Sequence, residues 1–145
     1  MKKSLLVFLT LFSALCYSQV ETVLKSFNTE EISINPLIKG TVYLPLKQNK
    51  KTNLVLLIAG SGPTDRDGNQ KGITNNSVKY VAEEVAKNDI AVFRYEKRIL
   101  AQMKAGTVNE ATVTFDDCIT DATAVLLFFK NQKKYKQLIT KILRK

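Results

Sequence analysis

Gly60, Gly62, Asp65, Arg66 and Asp67 crowd into one stretch, NLVLLIAGSGPTDRDGNQ, which runs from Asn53 to Gln70. An apolar run breaks there into glycine, proline and paired aspartates. Glycines at 60 and 62 carry no Cβ, so backbone can approach a bound group closely. Three chemistries use such a loop. A phosphate cradle needs G-x-x-x-x-G-K-[ST], or G-x-G-x-x-G after a strand. Here Asp65 falls where the third glycine belongs, and Asp65 and Asp67 repel phosphate, so this chemistry is excluded. A calcium loop of the helix-loop-helix type places carboxylates at alternating positions, as Asp65, Asp67 and Asn69 stand. It also needs glycine at the sixth position and glutamate at the twelfth, where this chain has Gln70 and Asn76. The match fails at both positions, so no metal ligand is assigned, and a looser calcium site stays as the alternative. The third chemistry is an oxyanion hole, in which backbone N–H groups point at the oxygen that gains charge during acyl transfer. The alternative for Asp65 and Asp67 is that they cap turns.

The elements around the loop say how it is held. Leu54 to Ala59 is apolar on both faces, which suits a central parallel strand covered by helices on each side. Ahead of it, VETVLKSF and IKGTVYLPL read as two strands, with a turn-rich segment between them and a short strand at Ile32 to Ile34. After it, Ser77 caps a helix over 78–88, with Val78, Val81, Ala82 and Val85 on one face. Ile90 to Tyr95 is the next strand, followed by a long polar connection through Gly106. Thr114 and Asp117 then form a capping box for a second helix. Phe115, Ile119, Ala122, Leu126 and Phe129 form its buried stripe, and Cys118 is placed on the same apolar side. The last strand lies in KQLIT and begins at Gln137. Alternating strands and helices predict an α/β fold: an antiparallel start leading into a parallel sheet with right-handed crossovers.

Composition narrows the function classes. The 145 residues include 22 basic and 13 acidic side chains and no histidine. Lys2 and Lys3, with the short apolar run Leu5 to Cys16, read as a signal peptide over 1–18 with cleavage before Gln19. Lipid attachment at Cys16 is disfavoured by Leu15. The mature chain is expected outside the cytoplasm, periplasmic or secreted, with no integral membrane segment once the signal is removed. Seven basic residues lie in Lys130 to Lys145. Taking these and the two signal lysines from 22 leaves 13, which balances the 13 acidic residues. The body is neutral, and no aromatic platform accompanies the basic tail, so nucleic acid is not an expected partner.

The strings LLIAGSGPTDRDGN, VFRYEKR and TFDDCITDATAVLLFF, with ISINPLIKGTVYLP before them, resemble the first half of exported bacterial α/β-hydrolases of the esterase and acyl-peptidase kind. The resemblance implies a partial α/β-hydrolase fold over 19–139, with its C-terminal half missing and residues 140–145 departing from the family pattern as a basic tail. It implies hydrolysis of carboxylic esters or other acyl compounds, with a small acyl or ester substrate and no cofactor. Carried over by position, Ser61 supplies the backbone oxyanion donor between Gly60 and Gly62. Arg94 and Tyr95 match an Arg-Tyr pair at the end of the fourth strand, near the site. Arg66 is expected to brace the loop against Asp65 or Asp67. Ala59 stands where many relatives carry histidine.

The family's nucleophile is a serine in G-x-S-x-G after the fifth strand, followed by an acid and a histidine. This sequence has neither that motif nor any histidine. The expectation is an inactive, truncated form. The alternatives are a non-catalytic binding module, a half-domain completed by a second chain such as a C-terminal fragment, or a membrane-surface protein that uses the basic tail.

Overall fold

The computed structural model describes residues 26–46, 52–60, 62–109 and 114–142. Among them, five strands form one mixed sheet: β1 (Phe27–Asn35), β2 (Ile38–Pro45), β3 (Thr52–Ile58), β4 (Ala91–Tyr95) and β5 (Tyr135–Ile142). Three helices accompany it: α1 (Ser77–Lys87), α2 (Arg98–Lys104) and α3 (Phe115–Lys130). The strand order is β1-β2-β4-β3-β5. β1 pairs antiparallel with β2, and β2 with β4, while β3 lies parallel to both β4 and β5. The sheet thus has the expected antiparallel start and parallel body, and it forms part of an α/β-hydrolase fold.

Hydrophobic patterning explains the layers. Every residue of β4 is buried, as a central strand covered on both faces requires. On one face, Val78, Ala82 and Ala86 of α1 pack on Tyr43, Leu57 and Val92. The alanines let this helix lie close to the sheet. On the other face, Val125 and Phe129 of α3 pack on Ile38, Val42, Leu54, Leu56, Phe93 and Tyr95. The Phe129 ring lies 4.7 Å from Phe93 and 5.7 Å from Tyr135. Leu56 is fully buried by this packing and Leu138 partly so, while Ile139 and Ile142 on edge strand β5 are exposed.

Several expectations change. Of the expected strand VETVLKSF, all but Ser26 and Phe27 lies outside the described residues. β1 takes up Phe27–Asn35, so the expected short strand at Ile32 to Ile34 extends through most of the segment read as turn-rich. Its outward side chains are polar, which weakens the apolar signal of an edge strand. The polar connection after β4 contains helix α2. The α1 cap is Asn76, in the left-handed conformation at φ 52°, and Ser77 is the first helical residue. The capping box of α3 forms as expected, with Thr114 and Asp117 exchanging hydrogen bonds. Its buried stripe is Asp121, Val125 and Phe129. Phe115 is 79% and Ile119 50% exposed, and Cys118 is exposed too. The first turns of α3 stand clear of the sheet, so apolar residues there find nothing to pack on.

Candidate functional site

The connection leaving β3 runs through α1 to β4 on one side, and the connection leaving β4 returns through α2 and α3 to β5 on the other. Ligands in open α/β sheets collect at the carboxyl ends of strands where connections part in this way. Gly60 lies just beyond the end of β3. Ile58 pairs with Ile142 of β5, and Leu57 with Arg94 of β4. The glycine segment, the end of β4 and the end of β5 therefore share one end of the sheet. Ser61, the proposed donor, lies outside the described residues. Gly60 and Gly62 flank it, and Gly62 has φ 77°, a left-handed value that disfavours side-chain-bearing residues.

The rest of the loop is braced from within. One Asp65 carboxylate oxygen accepts from the backbone N–H groups of Asp67 and Asn69, at 2.9 and 2.8 Å. Asp65 thus caps a turn. The Asn69 side-chain oxygen accepts from the backbone N–H groups of Asn75 and Asn76. The Asp67 carbonyl accepts from Val78 and Lys79, satisfying N–H groups in the first turn of α1 that have no intrahelical partner. Gly68, at φ 97°, lies against that turn, and a Cβ there would meet the Ser77 hydroxyl at 2.6 Å. The TDRDGN string thus builds a platform on the start of α1.

Arg66 does not brace Asp65 or Asp67. Its guanidinium reaches across to β1 and β2, where it pairs with Glu31 at 2.5 Å and donates to the Thr41 hydroxyl at 2.9 Å. Burial pushes the Glu31 carboxyl up, but hydrogen bonds from Thr41 and Arg66 and the charges of Arg66 and Arg94 outweigh it. The group is held below the usual carboxylate range. The cation paired with Asp67 is Arg94. Arg94 is buried, donates to the Tyr43 hydroxyl at 2.5 Å and lies over the Tyr43 ring.

The pleat separates Arg94 from Tyr95, because successive strand residues face opposite sides. Arg94 points to the α1 face. Tyr95 joins the α3 core and stacks on Phe93 at 6.1 Å. Burial, with the negative charge of Asp121 nearby, pushes its hydroxyl well above the ordinary tyrosine range. Tyr95 therefore faces away from the Arg94–Asp67 pair.

A cleft of about 460 Å³ opens on the α1 side, lined among others by Glu31, Tyr43, Arg66, Lys79 and Arg94. Neither Gly60 nor Gly62 lines it. Its cations are matched internally, Arg66 to Glu31, Arg94 to Asp67 and Lys79 to Glu83. It offers no unbalanced charge to a ligand. Among the described residues, no three acidic, cysteine or histidine side chains cluster to hold a metal, and no helix is long and apolar enough to cross a membrane.

Two polar contacts escaped the sequence reading. Lys97 donates to the carbonyls of both Gly60 and Gly62. Arg98 grips Asp121 through two hydrogen bonds, at 2.9 and 2.6 Å, and reaches Asp117 at 2.5 Å. A signal for the second was present: Asp121 stands on the Val125–Phe129 stripe of α3, where a buried carboxylate requires a partner.

No protein-family model matches the chain, and no curated protein matches it. A solved structure, brefeldin A esterase, a bacterial homologue of human hormone-sensitive lipase, superposes with a TM-score of 0.59 at 13% sequence identity. The match covers 86% of this chain and 33% of that one. At this identity the likeness is one of fold, and the chain spans about a third of that structure's length.

Proposed function

We propose that this chain supplies the oxyanion-loop side of an exported α/β-hydrolase that cleaves carboxylic esters or other acyl compounds. The reading is carried by the glycine loop: Gly60 and Gly62 follow β3 at the carboxyl end of the parallel strands, beside the end of β5. In this role the Ser61 backbone N–H donates to the developing oxyanion. Arg94, Asp67, Asp65 and Arg66 support the loop from behind and do not touch substrate.

Hydrolysis by a triad needs a serine on a strand-to-helix turn, a histidine base and an acid that orients it. The 145 residues contain no histidine and no G-x-S-x-G. The chain by itself is therefore proposed to be inactive, and polypeptide beyond this sequence brings the nucleophile and base. Among the described residues β5 has a strand on one side only, with Ile139 and Ile142 exposed, which favours a half-domain completed by a second segment over a free-standing binding module.

Two measurements test this. The purified chain is expected neither to turn over a p-nitrophenyl ester nor to take a fluorophosphonate label. Mixing it with a fragment encoded downstream that carries G-x-S-x-G, an acid and a histidine is expected to restore both. Turnover by the chain alone would overturn the reading, as would a downstream sequence without those motifs. Export is tested by mass spectrometry of the periplasmic or secreted fraction, which is expected to give a mature chain starting at Gln19. An intact Met1 in the cytosol, or lipid on Cys16, counts against it.

A further inference from the structure

We propose that the outward face of α3 is a self-complementary surface on which a second copy of this chain docks, the two helices lying antiparallel about a two-fold axis at Thr123. The inference goes beyond the hydrolase reading and does not depend on it.

The sheet takes Asp121, Val125 and Phe129 of α3. At about 100° per residue, Asp116, Ile119, Thr123, Leu127 and Lys130 fall in an arc of about 80° on the far side of the helix from Val125. All of them are exposed, Ile119 by 50% and Leu127 by 53%. Two apolar side chains on a surface need no explanation by themselves. Their order with the charges does. Along the face the chain reads acid, aliphatic, small, aliphatic, base, and it is symmetric about Thr123. A reversed copy centred there sets Asp116, seven residues to one side, against Lys130, seven residues to the other. It sets Ile119, four residues before, against Leu127, four residues after. A two-fold axis makes every such contact twice. Thr123 meets its own copy at the axis, where a small side chain lets the helices approach.

The charges are available for this. Asp117 and Asp121 are taken by Arg98, whereas the side chains of Asp116 and Lys130 have no ion-pair partner among the described residues. Each also suits the dipole at its own end of the helix. That accounts for an acid at the start and a base at the end, but not for the aliphatic pair spaced evenly between them. The charges also choose the direction. A parallel copy would set Asp116 against Asp116 and Lys130 against Lys130, and like charges in contact repel. The exposed edge of β5 serves a second copy less well. With two β5 strands fully overlapped and antiparallel, Lys136 faces Lys141 in both halves of the pair. Lysines on an edge strand guard it against such pairing. Exposed ion pairs add little affinity, so Ile119 and Leu127 supply the attraction and the charges supply the register. A contact one helix wide belongs with the small, weak interfaces.

Sedimentation equilibrium of the full chain tests this. A reversible monomer–dimer equilibrium in the micromolar range is expected, and a monomer throughout that range overturns the proposal. Asp116→Lys alone and Lys130→Asp alone are each expected to weaken the dimer on the order of 10-fold or more, because one substitution places like charges together at both ends. An equimolar mixture of the two is expected to recover the unmutated affinity, since each variant then complements the other. That recovery separates lost docking from lost folding, and a mixture no tighter than its components overturns the proposal. Ile119→Asn, with its circular dichroism unchanged, is expected to leave only monomer. A dimer that survives both Asp116→Lys and Ile119→Asn also overturns it, and assigns self-association to another surface such as the β5 edge.

Discussion

Arg94 and Arg98 are near neighbours in the chain, yet they hold opposite faces of the sheet in different ways. Arg94 closes β4 with its side chain 5% exposed, and it ties the platform loop through Asp67 and Tyr43. Arg98 opens α2 with its side chain 20% exposed, and it ties α3 through Asp117 and the nearly buried Asp121. The lesson lies in what is left when a partner is lost. Without Asp67, the orphan is a buried guanidinium, which cannot shed its proton in a protein. Without Arg98, the orphan is a carboxylate, which can take one up. The two networks look alike as lists of contacts, but one has an escape from bare charge and the other has none.

Asp67→Ala is expected to cost most. Breaking a buried pair by removing one partner costs about 3–5 kcal/mol. Asp67 is about a third exposed, which sets the expectation at the lower end, about 3 kcal/mol. That is a large share of the ~5–15 kcal/mol that holds a domain together. Urea unfolding checks it, and the loss is expected to stay nearly constant between pH 5 and pH 8, since the orphaned Arg94 does not titrate there. A loss under about 1 kcal/mol would mean that solvent reaches Arg94 and the contrast fails.

Arg98→Ala is expected to cost about 2 kcal/mol near pH 7, the scale of hydrogen bonds to a charged group. Urea unfolding checks it, and a loss under about 1 kcal/mol would break the comparison from this side.

Gly68→Ala tests whether the Arg94 side depends on loop shape as well as charge. The left-handed backbone and the 2.6 Å approach to the Ser77 hydroxyl predict a loss of about 1–2 kcal/mol in thermal or urea unfolding. Gly106→Ala has a similar backbone angle but nothing near its Cβ. It should show the backbone cost alone and so separate strain from contact.

The smallest effect concerns the cap of α3. Thr114→Ala is expected to cost about 1 kcal/mol, as loss of an N-cap does. Asp117 is held below the usual carboxylate range, chiefly by the Thr114 backbone N–H, against desolvation as the next largest effect, and also by the Thr114 hydroxyl and the Arg98 charge. A carboxyl depressed in the folded state contributes its stability above the unfolded value of about 3.9 and loses it as pH falls through the folded value. Acid titration of Tm should therefore show a steeper decline below pH 4 in the unmutated protein than in Asp117→Asn. Equal slopes would mean that the cap carries no charge-dependent stability.

Local rules reached much of this fold. The doubly apolar run at Leu54 to Ala59 marks a central strand because both sheet faces are covered. The Thr114–Asp117 box marks a helix start because donor and acceptor lie one turn apart. The glycine loop after β3 was legible because its φ requirement and its place at a strand end are both properties of a short segment. β1 was misjudged because an edge strand in contact with solvent can be polar. The α3 stripe was misplaced because periodicity fixes the spacing of a face, while the partner decides how far along the helix that face is covered.

The sequence by itself determined the alternation of strands and helices, the glycine turn at the end of β3 and the absence of a histidine base, since each is written in residues close together or in composition. Tertiary structure decided that Arg66 pairs with Glu31 and Arg94 with Asp67. It also decided that Lys97 meets Gly60 and Gly62, and that Asp121 is answered by Arg98. Charged side chains are long, and many opposite charges lie within their reach in an unfolded chain. Only strand register and the pleat, which fix where each Cα stands and which way its side chain leaves, reduce those choices to one.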